Sequence, residues 1–229
     1  MGQRIILIET STALCSTALL EDGAVTAVRE SSEPRMHASM TAPFVKEMLD
    51  ERGLRVKDCD AVCLSMGPGS YTGLRVGSST AKGLCFGAGI PLLAAGTLDI
   101  LAAQAIEEGL PAGCRHIVPM IDARRMEVYT AVYSPDGTRL TEVEPRIVGP
   151  DSYRDLLAEG PVLFIGDGVL KCREVLGSPD AVLRQECPRA QSMKAPAMRL
   201  FAAGARVDTA YFEPFYLKDF IATTGKKLF

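Results

Sequence analysis

The order of hydrophobic and polar positions in the first half of the chain predicts strands and helices. The apolar segments QRIILIE, CSTALL and EDGAVTAVRE predict three strands, the last two joined at Asp22–Gly23, a strong hairpin signal. Met40, Phe44 and Met48 recur at helical spacing within SMTAPFVKEMLDERG, so this segment predicts a helix. The chain therefore opens with three antiparallel strands that a helix follows.

A glycine-rich loop, GPGSYTGLRVG, joins the next predicted strand to the next predicted helix. The segment DAVCLSM is typical of a buried strand, and SYTGLRVGSSTAKGLCFGAG of a helix rich in small residues. We expect Gly67 and Gly69 to allow the sharp turn between them, and Ser70 or Thr72 to cap the helix.

The second half of the chain repeats the pattern of the first. RHIVPMID, MEVYTAVY and TRLTEVEPRIV predict three more strands, and PVLFIGDG predicts a strand that enters a second glycine loop. A DG turn begins 13 residues after Glu9, at Asp22, and another begins 14 residues after Asp122, at Asp136. Order and spacing repeat together, which predicts a duplicated α/β architecture with a cleft between two lobes.

The repeat also suggests domain bounds. We expect an N-terminal lobe over residues 1–100 and a C-terminal lobe over residues 101–209. Residues 210–229 are expected to return and complete the first lobe, which is also the lobe expected to carry a partner interface.

Composition limits the classes of function. The longest apolar stretch, PLLAAGTLDILAAQ, is interrupted by Asp99, so a membrane span is not expected and a cytoplasmic location is. The net charge of −3 argues against a protein that binds nucleic acid by itself. One basic spot remains at Lys226 and Lys227, where a solvated tail and an RNA contact both stay open.

The glycine loop does not match the known phosphate-binding patterns. A strand, a glycine loop and a helix N-terminus together form a ready anion site. A Walker A loop, however, requires glycine five residues after its first glycine, where Thr72 and Leu74 stand. The dinucleotide pattern requires glycine at position 72, and the third glycine is Gly73.

The helix after this loop carries a stripe of small residues, Gly73, Gly77, Ala81 and Cys85, at intervals of four. Small residues let another backbone approach closely. Two interpretations stay open: the stripe packs on the sheet of its own chain, or it contacts a helix of another subunit.

Five motifs occur in order along the chain: ILIETSTALCSTALLEDG, MGPGSYTGLRVG, AKGL, IDARRMEVYTAVY and EPFYLKD. Together they resemble the TsaB (YeaZ) family, the dimerisation subunit of the bacterial complex that makes N6-threonylcarbamoyladenosine (t6A) in tRNA. The resemblance implies a duplicated actin-like, sugar-kinase or Hsp70-type ATPase fold, with two lobes around a degenerate nucleotide cleft.

The resemblance also implies a function. Members of this family are regarded as non-catalytic relatives of TsaD, so we expect a scaffold that binds and stabilises TsaD and acts with TsaE on tRNA adenosine 37. A homodimer is expected without TsaD, and tRNA is expected to be contacted only indirectly. The residues expected at the partner interface are Met40, Phe44, Met48, Tyr71, Gly73, Leu74, Gly77 and Ala81.

The resemblance leaves the cleft without clear catalytic residues. Kinases and ATPases of this fold have an aspartate at the end of the first strand, where this chain has Glu9. The metal-binding histidine pair of TsaD falls on Thr97 and Leu101, so no metal ligand is assigned. Weak ATP or ADP binding stays open at Thr10, Ser11, Asp122, Gly166, Asp167 and Gly168. The alternatives to a scaffold are an active small-molecule kinase or ATPase and a metallopeptidase-like enzyme.

Overall fold

The chain folds into two five-stranded sheets with helices packed on their faces. A computed structural model describes residues 2–218. The first sheet contains β1 (Arg4–Glu9), β2 (Cys15–Glu21), β3 (Ala24–Ser31), β4 (Ala61–Gly67) and β5 (Leu92–Gly96). Their order is β3-β2-β1-β4-β5, with β1, β2 and β3 antiparallel and with β4 and β5 parallel to β1.

The second sheet has the same topology. It contains β6 (His116–Asp122), β7 (Glu127–Thr130), β8 (Glu144–Ile147), β9 (Val162–Ile165) and β10 (Ala181–Arg184). Its order is β8-β7-β6-β9-β10, with an antiparallel half formed by β6, β7 and β8 and a parallel half formed by β6, β9 and β10. The predicted duplicated α/β fold is therefore confirmed.

Helices cover both faces of the first sheet, namely α1 (His37–Asp50), α2 (Tyr71–Ala88), α3 (Thr97–Glu108) and α5 (Lys194–Ala202). Helix α4 (Arg154–Ala158) packs against the core of the second sheet. On one face, α1 and α2 bury Met48 and Ala81 against Ile6 and Ile8 of β1. On the other face, α3 and α5 pack against Ile5 and other residues of the sheet. Both faces of β1 and β4 are covered, which accounts for their continuous apolar sequences.

The third strand of the second half is shorter than predicted. The segment TRLTEVEPRIV forms a strand only at Glu144–Ile147. The Val132 N–H donates a hydrogen bond to the Thr141 hydroxyl, at 2.9 Å, instead of to a carbonyl of a regular ladder. Before that point, the pairing continues only as an isolated bridge between Tyr133 and Arg139.

Two helices connect the halves of the chain. Helix α3 contributes Ile100 to the core of the first sheet and Leu101 to the core of the second. Helix α5 lies within the range assigned to the second lobe, yet its residue Ala197 packs in the core of the first sheet. The predicted lobe bounds at residues 100 and 209 therefore stay a prediction.

The segment after α5 returns to the first sheet. Val207 forms a bridge with Leu92, and the Phe215 N–H donates to the Met66 carbonyl oxygen at 2.7 Å. The Lys82 ammonium donates to the carbonyl oxygens of residues 210 and 212, at 3.0 and 3.1 Å. The predicted tail at Lys226 and Lys227 lies outside the described residues.

Candidate functional site

The end of β1 lies directly against the first turns of α2. The Thr10 hydroxyl donates a hydrogen bond to the Gly73 carbonyl oxygen at 2.9 Å. A Cβ added at Gly73 would overlap the Thr10 carbonyl oxygen, and one added at Gly77 would overlap the Thr10 hydroxyl oxygen. The small-residue stripe of α2 therefore serves close packing within the chain.

The structure favours the interpretation in which this stripe packs on its own chain, and its contact with a partner stays a prediction. Gly73, Gly77 and Ala81 are buried against their own chain, which is the first of the two interpretations left open by the sequence. Three further residues expected at the interface, Phe44, Met48 and Leu74, are also buried. A side chain that fills the protein's own core offers little surface to a partner.

Two of the expected interface residues lie nearer the surface. Met40 and Tyr71 are half-buried, and the Tyr71 ring packs against Tyr216 with centroids 5.0 Å apart. The most exposed large apolar side chain of α2 is Phe86, which is 89% exposed. The exposure of Phe86 was not predicted from the sequence, because the periodicity of α2 does not show which of its apolar residues point to solvent.

The glycine loop is shaped by its own neighbours. A Cβ at Gly69 would overlap the Ser11 carbonyl oxygen, and one at Gly67 would lie 2.7 Å from the Phe215 carbonyl oxygen. The Ser70 N–H donates to the Ser11 carbonyl oxygen at 2.7 Å, and the Ser70 hydroxyl caps α2 by accepting from the Gly73 N–H. The loop packs the β1–β2 connection against α2, and these two backbone donors are already used.

The carboxylate at the end of β1 is fully buried. Glu9 Oε1 accepts a hydrogen bond from the Ser11 N–H at 2.6 Å, and Oε2 has no hydrogen-bond partner among residues 2–218. Burial raises the pKa of Glu9 to about 7, although the bonds to Ser11 oppose the shift. Ser65 and Thr97, at the ends of the neighbouring strands, also bury hydroxyl oxygens that are unpaired within the described chain.

The second glycine loop uses its backbone donors internally. The Gly166 N–H donates to the Arg184 carbonyl oxygen at 3.1 Å, and the Gly168 N–H donates to the Met120 carbonyl oxygen at 3.0 Å. A Cβ at Gly166 would overlap the same Met120 carbonyl. Glycine is therefore required here for contact with β6.

The carboxylate of Asp122, at the end of β6, forms an ion pair with a lysine of the same chain. Lys171 forms an ion pair with Asp122 and donates a second hydrogen bond to the Glu127 carbonyl oxygen at 2.6 Å. The Asp122 N–H in turn donates to the Asp167 carboxylate at 2.8 Å. Burial raises the pKa of Asp167 to about 6, and the nearby charge of Asp122 contributes. Lys171 was not identified from the sequence, because it lies 49 residues from Asp122.

The residues proposed for nucleotide binding thus lie at the ends of β1, β6 and β9. Thr10, Ser11, Gly166 and Gly168 are buried, Asp167 is half-buried and Asp122 is exposed. Nucleotide binding at these residues stays a prediction. For a phosphate to bind the second glycine loop, the N–H groups of Gly166 and Gly168 would have to give up their present carbonyl acceptors.

Within residues 2–218, no group of three or more His, Cys, Asp or Glu side chains could hold a metal ion. None of the helices in that part of the chain is both long and apolar enough to span a bilayer.

Comparison with known proteins places this duplicated α/β chain in a family. A family model described as TsaD, tRNA N6-adenosine threonylcarbamoyltransferase, matches residues 30–224. The tRNA threonylcarbamoyladenosine biosynthesis protein TsaB of Escherichia coli (strain K12) is 33% identical over 226 residues, which cover 96% of each chain. The protein of the same name from Bacillus subtilis (strain 168) is 34% identical over 71% of this chain and 70% of that protein. The chain therefore belongs to the family that the TsaD model describes and, within it, to the TsaB proteins.

Solved structures agree with this assignment. YeaZ from Pseudomonas aeruginosa superposes with a TM-score of 0.81 at 29% identity, covering 94% of this chain and 100% of that one. A second Pseudomonas aeruginosa protein, described as similar to peptidase YeaZ, gives a TM-score of 0.83 with the same identity and coverage.

Proposed function

We propose that this protein is a non-catalytic scaffold subunit of the cytoplasmic machinery that makes t6A at adenosine 37 of tRNA. In this role it binds and stabilises a TsaD protein and acts with TsaE. The observation that carries the proposal is the similarity to Escherichia coli TsaB over 96% of both chains. A match of this extent includes both sheets, so it concerns the whole architecture and not one shared motif.

The state of the cleft supports a non-catalytic role. Phosphoryl transfer in ATPases and kinases needs carboxylates that are free to hold magnesium and backbone donors that cradle phosphates. Here Asp122 forms an ion pair with Lys171, and the side chain of Glu9 is fully buried. The N–H groups of Gly166 and Gly168 are bonded to carbonyls of the chain.

The partner surface we propose consists of the outward faces of α1 and α2. Phe86 is 89% exposed on α2, and Met40 is half-buried on α1. Gly83 and Gly87 have open space around their Cα atoms, so a second helix can approach α2 closely on this side. Without TsaD, the same faces of two copies would pair as a homodimer.

The experiment is a light-scattering mass measurement after size-exclusion chromatography. The protein is measured alone and mixed with the TsaD homologue of the same organism, with and without ATP. We expect a self-associated species that converts to a mixed complex. The absence of a mixed complex under every nucleotide condition would contradict the scaffold role. ATP turnover by the isolated chain that disappears in Asp122→Ala would instead favour an active ATPase or kinase.

A further inference from the structure

The hairpin between β6 and β7 ends in two arginines with unusual backbone conformations. Arg124 has φ 71° and Arg125 has φ 50°, and both side chains are exposed. Positive φ is unfavourable for residues with a Cβ, and such turns normally carry Gly, Asn or Asp. Two consecutive arginines at these positions indicate that the side chains have a purpose that turn formation alone does not explain.

Backbone hydrogen bonds hold this tip. The Arg124 N–H donates to the Asp122 carboxylate at 2.7 Å, and the Ala123 N–H donates to the Glu127 carbonyl oxygen at 3.0 Å. The Glu127 N–H donates back to the Arg124 carbonyl oxygen at 3.2 Å. The arginine side chains take no part in these bonds, so they are not required for the shape of the turn.

Within residues 2–218, the charges around the tip leave the two arginines without a carboxylate partner. The nearest carboxylates along the hairpin already have cations, because Asp122 pairs with Lys171 and Glu127 pairs with Lys218. Neither arginine of the tip forms an ion pair with any residue in the described range 2–218. The hairpin therefore presents two exposed guanidinium groups on consecutive residues, with a local net positive charge on a protein whose total charge is −3.

We propose that Arg124 and Arg125 form a phosphate-binding site that contacts the backbone of tRNA. A guanidinium group presents a planar fork of donors that matches phosphate oxygens. Both side chains are exposed, and an exposed pair of cations gains most from a polyanion, whose binding also releases counterions. This inference rests on the proposed role in t6A synthesis, and it departs from the expectation of purely indirect tRNA contact.

The test is the binding of a fluorescent tRNA transcript with adenosine at position 37, followed by anisotropy between 50 and 200 mM salt. The full chain is measured alone and with the TsaD homologue. The variant is Arg124→Asn/Arg125→Gly, because both new residues accept positive φ and remove only the charges. We expect an unchanged or higher Tm, affinity reduced on the order of tenfold, and a salt slope lower by about 1 to 2.

The matched control removes two other exposed arginines, Arg35→Gly/Arg173→Asn. Arg35 also has positive φ, at 67°, whereas Arg173 has helical φ, so the control matches the change in charge and relieves positive φ at one of its two positions. We expect this control to bind tRNA as the unmodified protein does. Equal weakening in both variants would show only a general charge effect and would overturn the site.

Three further outcomes would also overturn the proposal. They are no tRNA binding by the unmodified protein in either sample, unchanged affinity in the tip variant, and full displacement of tRNA by millimolar ATP. The last would assign the arginines to the phosphates of a free nucleotide. Failure of the scaffold role is seen separately, because the light-scattering mass reports assembly with TsaD without any RNA present. A tip variant that loses assembly but keeps its tRNA affinity would assign the pair to a protein contact.

Discussion

The Thr10 hydroxyl donates a hydrogen bond to the Gly73 carbonyl oxygen, 2.9 Å away, and this bond fixes the end of β1 against the first turn of α2. Both groups are buried. The contact is close enough that only glycine fits at positions 73 and 77. The glycine loop and the stripe after it thus connect the first sheet to the helix that covers it.

We predict that Gly73→Ala destabilises the protein by about 2–3 kcal/mol, because the new methyl group would overlap the Thr10 backbone and force the helix away. The matched control is Gly83→Ala on the same helix, where a Cβ would meet no other atom within 4 Å. That control is expected to stabilise by about 0.5–1 kcal/mol through helix propensity. Urea unfolding of both variants measures the difference, and equal effects would show that the close packing against Thr10 is unimportant.

The ion pair between Lys171 and Asp122 is expected to contribute modestly to stability. The side chain of Asp122 is 47% exposed, so solvent screens the interaction. A double-mutant cycle of Lys171→Met and Asp122→Asn should give a coupling of about 0.5–1 kcal/mol that decreases with added salt. A coupling near zero at low salt would mean that Lys171 does not neutralise Asp122. The argument that Asp122 is not free to hold magnesium would then fail.

Parts of this fold could be predicted from local turn and cap residues and from the sequence repeat, whereas other parts carry no such pattern. The hairpin of β2 and β3 and the helix α2 followed from local chemistry, since Asp22–Gly23 forms the turn and Ser70 caps the helix. The duplication followed from the repeated order of strands and glycine loops. Strands β5 and β10 and helices α3 and α5 were not identified, because short segments with mixed small and polar residues carry little periodicity.

The contacts of the candidate site depended on the fold. Spacing showed that Gly73, Gly77 and Ala81 share a face of α2, but it did not show that Thr10 occupies that face. The sequence showed that Glu9 stands where related ATPases have an aspartate. It did not show that Glu9 is completely buried, because this burial depends on the helices that cover the sheet. Local patterns describe an element, and the neighbour of an element is decided by tertiary packing.

We predict that Glu9→Gln makes the protein more stable than the unmodified chain at alkaline pH. Burial raises the pKa of Glu9 from 4.5 to about 7, so the folded state favours the protonated form. The stability of the unmodified protein should therefore be complete below pH 4.5, fall between pH 4.5 and 7, and stay lower above pH 7. A shift of this size corresponds to about 3 kcal/mol.

The measurement is chemical unfolding of both proteins from pH 4 to pH 8. Gln keeps the Oε1 atom that accepts from the Ser11 N–H, so the difference reports mainly the buried charge. The stability advantage of the variant should grow as pH rises through this window. The same substitution at the exposed carboxylate of Glu33 is the control. An advantage that stays constant with pH would indicate that Glu9 is not the titrating group.

The last prediction tests which part of α2 contacts a partner. Phe86→Ser should leave the free energy of unfolding within about 0.5 kcal/mol, because the ring is 89% exposed and contributes little to the core. Loss of an aromatic anchor should weaken assembly with the TsaD homologue at least about tenfold, as measured by light-scattering mass against concentration. Leu140→Ser is the control, since Leu140 is 53% exposed but lies in the second half of the chain, away from α1 and α2. If Phe86→Ser assembled normally while Leu140→Ser did not, the partner surface would lie on the second sheet and our assignment to α1 and α2 would be wrong.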